Sequence, residues 1–227
     1  MNLGLLGGTG IEGRGLASRF AAAGAGVIIG SRSGDRAAAA AEQCNAALGH
    51  PLVRGMTNEE MIATADPVFL TVPYERALEA ISSVSRSFRA GAILVDVTVP
   101  VSFRSGRPEY AGPPDLSGAE AIAARLPAGV ELVAAFKTLP AHVLADLGEN
   151  LECDEFVCGD SPAARQKVAE VIRMIPTLRV LDAGPLSSAR VLERMTVLAI
   201  GLNRRYRKTG ARYRVVGIDD LLSGTRP

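Results

Sequence analysis

Histidine is scarce in this chain: His50 and His142 are the only two, and they lie far apart. With so few imidazoles, and with cysteines only at positions 44, 153 and 158, the sequence argues against a metal site. Cys153 and Cys158 are not spaced as in a zinc knuckle, and an odd, sparse set of thiols reads as reduced cysteine in a cytoplasmic protein. Lysine is rare too, limited to Lys137, Lys167 and Lys208 among many arginines. This is mainly a compositional bias, and it makes a lysine in any predicted site worth following. No apolar run reaches the roughly 20 residues of a membrane helix. A first strand expected from about Leu3 leaves no room for a signal peptide. The formal net charge of +1 gives no general reason to expect nucleic-acid or membrane binding.

What is present is a 227-residue chain with 48% hydrophobic residues, long enough for one substantial core and expected to be a single domain over 1–227. Apolar runs of strand length alternate with helical patterns. Strands are predicted at Leu3–Leu6, Gly26–Ile29, Val68–Val72, Ala92–Val97, Val130–Phe136, Glu155–Cys158 and Leu178–Leu181. Helices are predicted at Ile11–Ala23, Asp35–Leu48, Tyr74–Phe88, Ser117–Leu126 and Pro162–Ile175. A further short helix begins at Thr57, with Glu60 completing a capping box. Arg104–Pro114, rich in Gly, Pro and Arg, reads as a long loop. The alternation implies an α/β fold, a doubly wound, Rossmann-type and mostly parallel sheet with helices on both faces. One long C-terminal helix, about Pro185–Tyr206, and a basic tail over 207–227 complete the chain. Ligands of such sheets bind at the carboxyl ends of the strands.

The first such end carries Gly8-Thr9-Gly10-Ile11-Glu12-Gly13, a G-x-G-x-x-G between a strand and a helix. Gly8 would permit the tight turn, Gly10 the approach of a pyrophosphate to the backbone, and Gly13 close packing of helix on sheet. The free N–H groups and positive end of the helix would hold the phosphates. An ordinary tight turn would show the same glycines; the second strand, following at the right distance, favours the dinucleotide. That strand runs into Ser31-Arg32 and has no acid to repel a 2′-phosphate. Ser31, Arg32 and Arg36 can all donate to one, so NADP(H) is expected over NAD, although an arginine at a strand end can also be merely solvated. The Tyr-x-x-x-Lys pair of short-chain dehydrogenases is missing, because Val133, Ala163 and Arg204 stand four residues before the three lysines. With no long helical domain to enclose a small substrate, an open cleft for a second flat cofactor is expected, where stacked rings need positioning more than acid–base groups.

Several further runs join this pattern: Leu5-Leu-Gly-Gly-Thr-Gly, Ser31-Arg32, Leu70-Thr-Val-Pro73, Val99-Pro-Val101, Thr138-Leu-Pro-Ala141, Val157-Cys-Gly-Asp160 and Leu181-Asp-Ala-Gly-Pro-Leu186. In order, from Met1 to about Tyr206, they resemble the coenzyme F420-dependent NADP reductases (NADPH:F420 oxidoreductases). The resemblance implies direct hydride transfer between NADP(H) and the deazaflavin coenzyme F420, with no acid–base catalyst. It implies backbone contacts from Thr9, Gly10, Ile11 and Glu12, a 2′-phosphate on Ser31, Arg32 and Arg36, and ring contacts near Val72, Pro73, Val99 and Ala141. Read as residues alone, Val72, Val99 and Ala141 are better explained as plain core packing.

The sequence departs from the family at Lys137, where the family often has histidine. Lys137 could pair with the anionic deazaflavin, could signal another acceptor, or could be a solvated group at a strand end. His142 reads best as a helix-surface residue. The stretch Arg204–Arg214 carries six cations and two tyrosines. It could bind the acidic tail of F420 or a nucleic acid, but reads best as a solvated helix end, where cations complement the dipole. The long helix, nearly continuously apolar from Leu192 to Leu202, is expected to be buried, partly against its own domain and partly in a homodimer. Two alternatives to F420 reduction stay open: reduction of another flat acceptor such as a flavin or ferric complex, and a non-catalytic NADPH sensor.

Overall fold

A computed structural model describes residues 2–218 of the chain. Strands β1 (Asn2–Leu6), β2 (Gly26–Ser31), β3 (Val53–Thr57), β4 (Val68–Leu70), β5 (Ile93–Asp96), β8 (Glu131–Ala134), β9 (Cys153–Gly159) and β10 (Leu178–Asp182) form one sheet, ordered β10-β9-β8-β5-β4-β1-β2-β3. Strands β6 (Val101–Arg104) and β7 (Arg107–Tyr110) form a separate hairpin. Every neighbouring pair in the large sheet is parallel except β8 with β9. The helices are α1 (Ile11–Ala22), α2 (Gly34–Leu48), α3 (Asn58–Thr64), α4 (Tyr74–Val84), α5 (Gly118–Ala123), α6 (Ala141–Ala145), α7 (Pro162–Ile172) and α8 (Ala189–Tyr206).

Alternation along the strands feeds two cores. Leu3 and Leu5 of β1, Val27 and Ile29 of β2 and Val95 of β5 point to the face covered by α1, α2, α6 and α7. Leu6, Ile28 and Leu94, their neighbours in sequence, point to the face covered by α3, α4, α5 and α8. Burial on both faces is why these strands read as continuous apolar runs. Phe20, Phe69 and Phe136 pack together in the first core, with ring centroids 5.2 to 6.3 Å apart. The order of strands reverses at β1, between β2 and β4, so the loops after β1 and β4 diverge there and open the crevice typical of such sheets.

Local signals worked where the chemistry is local. Thr57 caps α3: its hydroxyl accepts from Glu60 N at 3.3 Å, and Glu60 returns the bond to Thr57 N at 3.0 Å. Three departures from the expected elements are found. Arg104–Pro114 is not a long loop; Ser105 and Gly106, at φ +48° and +75°, turn β6 into β7. A two-residue turn with both φ positive matches the twist of paired strands. The strand β3, whose Val-Arg-Gly-Met-Thr has no apolar run, and the short helix α6 were not expected. The helix α8 is buried on one side only: Leu192, Glu193 and Ala199 are covered, whereas Val191 is 63% and Leu198 55% exposed. The first part of the basic tail folds back on the sheet. Tyr213 O accepts from Asp154 N at 2.8 Å, and Arg212 pairs with Glu149 at 2.8 Å. Residues 219–227 of that tail lie outside the described residues.

Candidate active site

Two cavities open side by side at the carboxyl ends of the parallel strands, and Val72 and Pro73, just after β4, belong to the walls of both. The smaller, about 350 Å³, lies between the turn after β1, the end of β2 and the start of α4. Thr9, Ser31, Arg32 and Arg36 line it, together with Arg76 and Asn58. Arg76 sits in the first turn of α4, and its position just after a strand end was the available clue. Asn58, whose Oδ1 accepts from Gly7 N at 3.4 Å, left no signal of its own.

The glycines divide their labour. Gly7, at φ +73°, is the left-handed residue of the turn, a role expected for Gly8. A Cβ on Gly13 would lie 2.4 Å from the Gly8 Cα, so these two glycines let the helix lie against the turn. A Cβ on Gly10 would meet nothing within 4 Å. Gly10 is the N-cap of α1 and offers no side-chain cap, which leaves the first N–H groups of the helix without side-chain acceptors. An open approach to bare N–H groups, with three arginines beside it, fits a phosphorylated dinucleotide. Gly10→Ala is expected to fold normally and to lose NADPH affinity tenfold or more, on the order of 1.4 kcal/mol. Gly13→Ala is expected to lose folding stability itself. Urea unfolding and NADPH titration of both variants check this, and equal unfolding midpoints for the two would refute the division.

The larger cavity, about 540 Å³, is walled by Gly10, Ile11 and Glu12, by Val97 and Val99 after β5, by the loop from Phe136 to His142, and by Thr196 and Asn203 of α8. Val72, Pro73, Val99, Ala141 and Lys137 all line this one cavity. Thr196 and Asn203 were missed because they project from a helix read only for its apolar residues. The ionisable residues among those lining it are Glu12, Tyr74, Lys137 and His142. His142 is exposed on α6.

Lys137 is not a solvated strand end: the residue is 3% exposed. Its Nζ donates to Asp96 Oδ2 at 2.5 Å and to Thr98 O, and lies 3.5 Å from Glu193 Oε1. Asp96 Oδ1 accepts from Thr98 N and Thr98 Oγ1, at 2.9 and 2.7 Å. Glu193 accepts from Tyr110 Oη and Gly118 N, both at 2.8 Å, and from Ala119 N at 3.0 Å. One ammonium thus joins β5, the start of α5, the hairpin and α8, flanked by two carboxylates. Burial and the Glu193 carboxylate push the Tyr110 phenol upward.

The comparisons agree with this geometry. The family described as NADP oxidoreductase, coenzyme F420-dependent, matches residues 2–100. The F420-dependent NADP reductase of Methanothermobacter thermautotrophicus is 36% identical, over 97% of this chain and 97% of its own. That of Methanocaldococcus jannaschii is 33% identical, over 96% of this chain and all of its own. A solved chain from Arthrobacter sp. FB24, described as an F420-dependent NADP-reductase, superposes with a TM-score of 0.79 at 26% identity, covering 95% of this chain and 98% of that one. The likeness extends past the generic glycine turn to both ends of the sheet and to α8, and the chain belongs to the F420-dependent NADP reductase family.

Proposed function

We propose that this protein is an oxidoreductase that moves a hydride directly between NADP(H) and the deazaflavin coenzyme F420. The observation that carries this reading is the meeting of two cavities at Val72 and Pro73, one fitted for a phosphorylated dinucleotide and one walled largely by apolar side chains. When bound, the two cofactors supply the hydride donor and acceptor, and the chain supplies alignment. The free N–H groups at the start of α1 hold the pyrophosphate, and Thr9 is part of that loop. Ser31, Arg32 and Arg36, joined by Arg76, hold the 2′-phosphate. Val72, Pro73, Val99 and Ala141 press the rings together and keep water out. Such a reaction needs orientation in place of a proton donor. Lys137 serves as a positioning residue, since its ammonium is fully engaged by Asp96, Thr98 and Glu193.

The chain acts in the cytoplasm as a homodimer, a reading supported by the exposed apolar row Val191, Leu198 and Leu202 on α8. No helix among the described residues is long and apolar enough to cross a membrane. The decisive experiment mixes the protein with NADPH and oxidised F420 and follows loss of the deazaflavin absorbance, with FMN, FAD and a ferric chelate in parallel. Turnover with F420 alone is expected. Turnover of flavin or iron alone would reassign the acceptor, and binding of NADPH without any turnover would make the protein a sensor. Arg32→Ala is expected to weaken NADPH about 10- to 100-fold, the worth of a charge-assisted hydrogen bond, and to leave NADH binding unchanged. Equal losses for both nucleotides would remove Arg32 from the 2′-phosphate site.

A further inference from the structure

Two carboxyl groups lie beside the site without a part in the reaction described above. Glu12 stands in the first turn of α1 and lines the larger cavity. Glu155, on β9, is 1% exposed. Each keeps one oxygen sealed from solvent with no hydrogen-bond partner, Oε1 of Glu12 and Oε2 of Glu155. The other oxygen of Glu155 accepts from the backbone N–H of Phe136. Phe136 has φ +54°, the left-handed conformation that a phenylalanine rarely adopts, and it begins the loop that carries Lys137 and Thr138 into the cavity wall. Glu155 therefore clamps a strained residue at the edge of the site.

An ionised carboxylate with an unpartnered buried oxygen is costly, and two that repel each other are costlier. Burial pushes both groups up to about 8; for Glu155 the bond from Phe136 N–H works against this, and repulsion by Glu12 adds to it. The surrounding charges do not cancel this. Lys137 favours an ionised Glu155, but its ammonium is committed to Asp96 and Glu193. Cys153, on the same strand, has its thiol pushed up to about 12 by burial first and then by Glu155. Asp154, next to Glu155, is bound by Arg179. Arg19 of α1 is turned onto the carbonyls of α6, and His142 of α6 lines the cavity at its exposed rim.

We propose that Glu12 and Glu155 are a proton-holding pair, and that the protons they keep at neutral pH leave the positive end of α1 free for the anionic dinucleotide. The inference rests on the NADP(H) reading above. A helix N-terminus stabilises nearby negative charge, so an ionised Glu12 in that first turn competes with the phosphates for it. Linkage then fixes the sign. The bound phosphates raise the pair's hold on its protons, so affinity is full below about pH 8 and lost as pH rises through it.

The test is calorimetric titration with NADPH from about pH 7, above the 2′-phosphate's own titration, to about pH 9.5. The wild-type Kd is expected to rise by about fivefold or more over that range, with proton uptake on binding near the midpoint in buffers of different ionisation enthalpy. Glu12→Gln is expected to bind with little pH dependence there, and Glu155→Gln to keep part of the slope, because burial alone holds the Glu12 proton. A flat wild-type profile without proton uptake, or a Glu12→Gln variant that keeps the wild-type slope, overturns the proposal. Should either variant fail to fold, the proton count of the wild-type protein decides. NADPH binding without the pH step sinks this inference alone, whereas no NADPH binding at any pH sinks the dinucleotide reading and this proposal with it.

Discussion

Lys137→Met is expected to cost about 3–5 kcal/mol of folding stability, the size seen when one member of a buried ion pair is removed. Methionine fills nearly the same volume, so packing contributes little to the loss. What disappears is the cation between Asp96 and Glu193, whose side chains are both 0% exposed. Glu193 keeps its bonds from Tyr110, Gly118 and Ala119, and Asp96 keeps those from Thr98, but two negative charges are then buried together with nothing between them. Adding Asp96→Asn to the Met variant should restore part of the loss, because it removes one of those charges. Urea unfolding of the two single variants and the double variant gives the coupling directly. A loss below about 1 kcal/mol for Lys137→Met would mean that the cluster is solvated and that Lys137 is not its counter-ion. If Lys137 acts by positioning, hydride transfer in a folded Met variant at low temperature should suffer far less than stability does.

Arg19→Met is expected to cost about 2–4 kcal/mol, since a charged donor serving several buried acceptors leaves them all unpaired. Arg19, in the last turn of α1, is 8% exposed. Its Nε donates to Leu144 O at 3.0 Å, and its Nη2 to Val143 O and Glu149 O, each at 3.0 Å, and to Asp146 O. One guanidinium therefore closes the end of the short helix α6, which could not hold its shape unaided. That helix begins at Ala141, in the cavity wall. Loss of protection against hydrogen exchange in residues 141–149, ahead of the rest of the chain, is the specific signature expected. Arg19→Lys should recover only a fraction, because an ammonium cannot span the same acceptors as a planar fork. Uniform loss of protection across the sheet would show that α6 is not a separate dependent unit.

These two residues mark the limit of what the sequence conveys. Arg19 reads as a cation at a helix C-terminus, and Lys137 as a lysine after a strand. Their partners lie 125 and 41 residues away, at Leu144 and Asp96. Nothing in the local composition announces such pairings. Glu155 is similar: it occupies the first predicted position of a strand that reads as apolar, and its role follows only from its bond to Phe136. The hairpin escaped for another reason. Its residues are largely exposed and include Pro108, so neither apolar alternation nor strand propensity was available, and Tyr110 gains its meaning from Glu193 and from Arg194, whose guanidinium lies 4.3 Å over its ring.

The sequence by itself determined the glycine turn after β1, the order of most strands and helices, the cap at Thr57, and the cationic group after β2. Each depends on residues within a few positions of one another, or on burial of both sheet faces, and such constraints are written in glycine spacing and apolar runs. Tertiary structure decided the reversal of β9 against β8, the one-sided burial of α8, the charge partners of Lys137, and the joining of two cavities at Val72 and Pro73. Those depend on which elements become neighbours, and a buried charge or a shared wall exists only once distant segments have come together to exclude water.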